Sequence, residues 1–281
     1  FAGGMIVHGM GGIAGLTAAW ILGPRIGRYD EDGSANVIPG HSITFAALGT
    51  LVLAFGWYGF NVGTAASVFA VSDAGNLVLG DFGYVGRVAM TTTLAMAAGA
   101  VGASALSLAR TQKVDTLYVA NGMLAGLVGI TAIPDTTTWW GAFLVGGLAG
   151  AQLPLVFTFV EKRLRIDDVC AVFPVHGSSG VLGALLYPFV AVSLPAGVTV
   201  GQAFLAQVAG VAVIATWTVL ATGAVFGLLR AVGQARVTPE HERDGLDVSE
   251  HGVETYPEFG TEEGAVADGG PVRTDGGVDD E

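Results

Sequence analysis

Residues 3–15 read GGMIVHGMGGIAG and residues 171–183 read AVFPVHGSSGVLG, so Val-His-Gly followed by small residues occurs twice in one chain. Each copy lies in a continuous apolar run. A bilayer core of ~30 Å needs roughly 20 such residues as a helix, and seven stretches qualify, near 1–22, 42–63, 85–108, 116–133, 139–160, 169–192 and 202–229. None shows the short alternating segments of a membrane barrel. The two histidine copies fall in the first and sixth runs, an odd number of crossings apart, and therefore run in opposite directions through the membrane. That is the signature of an inverted repeat with its site at the interface. Runs two to six then make one complete five-helix repeat and run one the last helix of the other. This reading predicts four further spans ahead of Phe1.

Composition agrees with lipid as the solvent. The chain is 52% hydrophobic and 13% charged, too few charges to cover a soluble globule of its size. The charges are also segregated: residues 231–281 hold 14 of the 24 acids and three of the 12 bases. Within the apolar part, Arg25 and Arg28 follow the first run, Arg110 and Lys113 the third, Lys162, Arg163 and Arg165 the fifth, and Arg230 and Arg236 the seventh. The alternate connections have no base near them except Arg87. Basic residues mark the cytoplasmic side of short loops, which predicts an external Phe1 and a cytoplasmic C-terminus. One cysteine, Cys170, excludes an intrachain disulfide. Two lysines against ten arginines, with the acidic tail, fit a salt-adapted surface and a GC-rich genome equally.

His8 lies about eight residues below the outer end of its helix and His176 about eight from Asp168, placing both ~12 Å deep at 1.5 Å per residue. Two imidazoles at one depth can meet. Each could instead be a satisfied packing residue, but ionisable groups inside a membrane are costly and point to function. Metal binding needs three or more ligands, and no Cys, Asp or Glu neighbours either histidine in its helix; neither a metal nor another cofactor is expected.

FAGGMIVHGMGGIAGL (1–16), FGWYGFNVGTA (55–65), GLVGIT (126–131), RIDDVCAVFPVHGSSG (165–180) and RVTPEHERDGLDVSEHGVETY (236–256), in that order, resemble the motifs of the ammonium transporter family over residues 1 to about 256. The resemblance implies an all-α integral membrane protein of eleven helices in a five-plus-five inverted repeat with a long last helix, of which the seven runs correspond to helices 5 to 11. It further implies a twin-histidine pair, His8 and His176, in a pore for ammonium or ammonia. Trp57 and Phe60 match pore-lining aromatics, the phenylalanine in the outer gate; as bare sequence they also suit an interfacial anchor. Thr64 stands where the family commonly has a serine that receives ammonium. Asn61 and Thr131 are plausible supports of the pore. Asp168 is either a pore acid or a helix-start acid favoured by the helix dipole.

Three departures stand out. The aspartate preceding the family's FAGG motif would lie ahead of Phe1, together with gate aromatics of the third and fourth helices. Ala171 occupies a position that is often acidic. Pro174, two residues before His176, removes a helix hydrogen bond and kinks the approach to the histidine.

The glycine-rich faces GAFLVGGLAG and GMLAGLVG permit close helix contact, and the resemblance extends this to a homotrimer in the cell membrane. Residues 1–230 form the transmembrane domain in this reading, 231–256 a cytoplasmic regulatory tail that helps receive a PII-type signalling protein, and 257–281 a disordered acidic tail. The expected function is ammonium transport. An ammonium sensor signalling through the tail is the alternative; the Rh branch fits the GLDVSEHG tail less well. No nucleophile and base pair in the spans suggests an enzyme, and no nucleic-acid partner is expected.

Overall fold

The computed structural model describes residues 1–66 and 69–256. Among the described residues six helices are long and apolar enough to cross a membrane: α1 (Gly4–Leu22), α2 (Ile43–Ala65), α3 (Phe82–Thr111), α5 (Trp139–Leu164), α6 (Val169–Val190) and α7 (Val200–Ala231). Between α3 and α5 lies α4 (Thr116–Thr131), apolar but only 16 residues long, or ~24 Å at 1.5 Å per residue. It is shorter than its apolar run because the chain turns at Ile133, whose amide bonds back to Ile130.

Short polar side chains set where these helices start. Ser42 accepts from the Phe45 amide, Asp81 from Tyr84, Asp115 from Leu117 and Tyr118, and Thr138 from Gly141. Thr199 and Gln202 form a reciprocal capping box at α7. Each satisfies amides that the first helical turn leaves without partners. Sequence placed the α3 start near residue 85; the Asp81 cap moves it to Phe82.

The connection after α2, read as a loop, contains an antiparallel hairpin, β1 (Phe69–Val71) with β2 (Leu77–Leu79). Its turn closes through Ser72 N–H to the Asn76 carbonyl at 2.9 Å, with Gly75 at φ 78°. Two three-residue strands are too short for periodicity to reveal.

At the centre, α3, α4 and α5 pack backbone to backbone. A Cβ on Gly150 would stand 1.9 Å from the Gly99 carbonyl oxygen, so the glycines in these runs are what lets the helices close. Around this contact the buried core comprises Leu124, Leu127, Val128, Leu153 and Val175, continuing into Ile130, Val145 and Val190. Outside it the usual polarity is reversed. Phe45, Leu51, Val52 and Phe55 on α2, and Leu205, Val213, Trp217 and Leu220 on α7, are exposed, as an element facing hydrocarbon requires.

Residues 236–256 belong to a separate compact unit with α8 (Pro239–Asp244) and α9 (Leu246–His251). Within it Arg236 grips Glu242 at 2.7 Å, and His241 lies 3.6 Å from Glu250. The expected acidic extension from residue 257 onward lies outside the described residues.

Candidate functional site

Helices α1 and α6 cross at backbone contact, and the crossing is reciprocal. A Cβ on Gly12, four residues after His8, would lie 2.1 Å from the nitrogen of Gly177, the residue after His176. A Cβ on Gly180, four residues after His176, would lie 2.8 Å from the nitrogen of Gly9, the residue after His8. Exchanging the two Val-His-Gly copies maps one contact onto the other, as a local two-fold between opposed helices demands. The small residues after each histidine therefore let the crossing close.

The histidine turns are widened by one residue. Both Gly4–Gly9 and Phe173–Ser178 are π-helical, and the His8 amide reaches five residues back to the Gly3 carbonyl at 3.1 Å. Such bulges cost hydrogen-bond geometry and cluster at functional sites. Across the crossing His8 Nδ1 and His176 Nδ1 are 3.3 Å apart, with rings 5.4 Å between centroids and 15° from parallel. Two neutral imidazoles can make this contact only when one carries its proton on Nδ1 and the other on Nε2. The outer nitrogens then differ, one a donor and one an acceptor. His8 Nε2 is buried without a hydrogen-bond partner among the described residues.

Aromatic rings complete one side. Trp57 stacks on His8 at 4.8 Å and 17°, and Phe60 leans on the same imidazole at 5.4 Å and 59°. Trp57 is 6% exposed, so it is a buried wall and not an interfacial anchor. Its indole donates to Thr131 Oγ1 at 2.9 Å, and that hydroxyl donates to the Leu127 carbonyl at 2.6 Å. Trp57→Phe keeps the stack and loses the bond; it is expected to lower stability by about 1 kcal/mol, read as the shift in unfolding temperature of the detergent-solubilised protein.

Asn61, fully buried, donates to Thr92 Oγ1 on α3 at 3.1 Å, and its own oxygen has no partner among the described residues. Thr64, exposed one turn on, donates to the Phe60 carbonyl at 2.6 Å, and a donating hydroxyl retains lone pairs that can accept. His8, His176, Trp57, Phe60 and Thr131 thus form one connected group. Asn61 stands beside it through α2, and Thr64 lies at the end of α2.

Asp168 is elsewhere, at the entry to α6. Its carboxylate accepts from the amides of Val172 at 3.0 Å and Phe173 at 2.9 Å, which is the capping alternative. Between acid and helix the chain is broken: Cys170 and Ala171 have φ of 61° and 58°, a region L side chains rarely adopt. The sequence predicted a regular span from residue 169; the regular turns begin only after this break. Next to it, Asp167 is gripped by Arg25 at 2.7 and 2.9 Å and by Arg28 at 3.1 Å, and Arg28 also meets Glu161. Burial opposes the charge on Asp167, yet the Arg25 bonds hold its carboxyl below the ordinary range. Sequence used both arginines only as markers of orientation.

Asp168 moves the other way. Burial pushes it up to about 6, against the pull of the Phe173 and Val172 amides. The folded state therefore binds this proton more tightly than the unfolded chain, whose carboxyl titrates near 3.8. Stability should fall as pH rises from about 4 to about 6, by on the order of 3 kcal/mol, and level off above. Asp168→Asn should lack this slope, which melting curves at pH values spanning the window would check.

Sequence reading missed Thr92, Gln152, Ser178 and Ser179. Gln152 on α5 holds Nε2 2.9 Å from the Ala149 and Pro174 carbonyls and 3.0 Å from Ser179 Oγ, two N–H donors shared among three acceptors, and accepts from Ser178 Oγ at 2.8 Å. An amide in the middle of an apolar run was the available signal.

Comparison with known proteins places the chain in a family. Residues 1–256 match the profile of the Ammonium Transporter Family. The chain is 69% identical over 277 residues to the ammonium transporter Amt2 of Haloferax mediterranei, covering 98% of this chain and 60% of that one. It is 42% identical over 252 residues to Amt1 of Methanocaldococcus jannaschii, covering 89% and 59%. It spans about 60% of the length of these curated relatives. Among solved structures, a protein titled "Sensor Amt Protein" superposes with a TM-score of 0.80 at 34% identity, over 89% of this chain and 59% of that one. Mep2 of Saccharomyces cerevisiae gives 0.69 at 28%, over 82% and 52%. With its family motifs matched from the first histidine helix to the tail, the chain belongs to the ammonium transporter family and is a multi-pass membrane protein.

Proposed function

We propose that this protein carries ammonium across the cell membrane, with the His8–His176 pair in the conduction path. The observation that carries the reading is the 3.3 Å Nδ1 contact between imidazoles on two opposed membrane helices, walled by Trp57 and Phe60. An ammonium ion loses its hydration at high cost in an apolar pore, whereas ammonia is far cheaper to move. Deprotonation near the entrance is the natural step. Aromatic faces favour a partly dehydrated cation, which suits Phe60 to an outer gate, and the Thr64 hydroxyl to the vestibule before it. A tautomer-matched histidine pair offers ammonia both an acceptor and a donor, and can relay a proton if one crosses as well.

In this reading α1 to α7 are helices 5 to 11 of an eleven-helix fold, the C-terminus is cytoplasmic, and three copies assemble with one pore each. The unit formed by α8 and α9 then lies where a PII-type protein can reach it. The reciprocal glycine contacts at the α1–α6 crossing support the inverted repeat, and the bases clustered after α1, α3, α5 and α7 support the orientation.

The test counts ions. Protein expressed from its whole gene and reconstituted in vesicles should accumulate many labelled ammonium ions per molecule under an inward gradient. Retention of about one per protein, with no growth over time, would overturn transport in favour of a sensor.

A further inference from the structure

Two carbonyls around Pro174 are held by side chains, drawn from α4, α5 and α6 itself. Pro174 stands in the first turn of the widened segment, where its missing N–H leaves no helix bond unmade; the Cys170 carbonyl before it accepts from Asn121 Nδ2 of α4 at 3.3 Å. The Pro174 carbonyl falls where the turn widens and accepts from Gln152 Nε2 at 2.9 Å and from Ser179 Oγ at 3.0 Å; Ser178 Oγ, 3.0 Å away, gives its one proton to Gln152 Oε1 at 2.8 Å. Because the Ala149 and Pro174 carbonyls can only accept, the amide of Gln152 must present nitrogen to them and oxygen to Ser178. His176 sits inside the widened turn, between Pro174 and Ser178.

A widened turn and an ordinary one differ by a single residue, which is about 100° of rotation around the helix. Tightening Phe173–Ser178 to the ordinary spacing would swing the His176 ring away from His8. The opposite turn has no comparable clamp: the residues equivalent to Pro174, Ser178 and Ser179 are Ile6, Met10 and Gly11, with no hydroxyl among them. The repeat is thus symmetric in its glycines and asymmetric in this network.

We propose that Gln152 is a positioning residue for His176: from α5 it clamps the Pro174 carbonyl and Ser178, holds the widened turn, and so sets the His8–His176 contact. This rests on the transport reading above. It predicts that Gln152→Leu, similar in bulk but unable to hydrogen-bond, alters the histidine pair more than the fold.

The experiment uses protein expressed from its whole gene, with nitrogen-labelled histidine. Magnetic resonance should show the coupled pair in the wild type, one Nδ1 protonated and one bare. In Gln152→Leu that signature should vanish and ammonium uptake fall about tenfold, equivalent to about 1.4 kcal/mol of barrier, while the melting temperature stays within about 4 °C. Ser178→Ala, which removes only one hydroxyl, should show the same changes to a smaller degree and is decisive if the leucine variant does not fold. A folded variant that keeps the paired signature overturns the proposal, whatever its uptake. Full uptake by His176→Ala would instead overturn the transport reading on which it rests.

Discussion

Gly12→Ala is expected to destabilise the protein by about 3 kcal/mol although it adds one methyl group. That carbon would stand 2.1 Å from the Gly177 nitrogen and 2.5 Å from its Cα. Both are backbone atoms and cannot swing aside, so α1 and α6 must separate. Gly180→Ala should behave alike, because its Cβ meets the Gly4 carbonyl oxygen at 2.4 Å. Gly11→Ala is the control: nothing lies within 4 Å of its Cβ, and stability should stay within about 1 kcal/mol of the parent. Thermal unfolding in detergent separates the three. Near-parental melting of Gly12→Ala would show that the crossing is looser than a 2.1 Å approach implies.

Much of this is legible in the sequence. Apolar runs longer than a bilayer needs leave a helix as the only economical choice, and a duplicated Val-His-Gly in opposed runs implies that the two histidines face a shared interface. The widened turns were not legible, because no residue pattern distinguishes a five-residue from a four-residue hydrogen bond. Pro174 pointed to a kink, but the donors around it come from far along the chain: Asn121, 49 positions before the Cys170 carbonyl it meets, and Gln152, 22 positions before Pro174. Asp167 and Asp168 look equivalent as neighbours in sequence; only three-dimensional packing hands one to Arg25 and Arg28 and the other to the α6 backbone. Trp57 had two readings, and its 6% exposure decides for the buried one.

The histidines carry the second large effect. Removing the His176 ring leaves His8 Nδ1 facing a void where a polar partner stood 3.3 Å away, so the paired donor and acceptor disappear and, with them, the path proposed above. Uptake by His176→Ala is expected to fall at least about tenfold, equivalent to about 1.4 kcal/mol of barrier. His8→Ala should be worse for the fold as well. That ring is stacked on Trp57 and contacted by Phe60, and its loss uncovers the indole. A lower melting temperature for His8→Ala than for His176→Ala is the expected order.

The measurement that reaches the central claim is time-resolved uptake of labelled ammonium into proteoliposomes, comparing the protein expressed from its whole gene with its His8→Ala, His176→Ala double variant at equal incorporation. Saturable uptake by the first and only protein-free background by the second is the predicted result; equal uptake by both would contradict a path through the histidine pair.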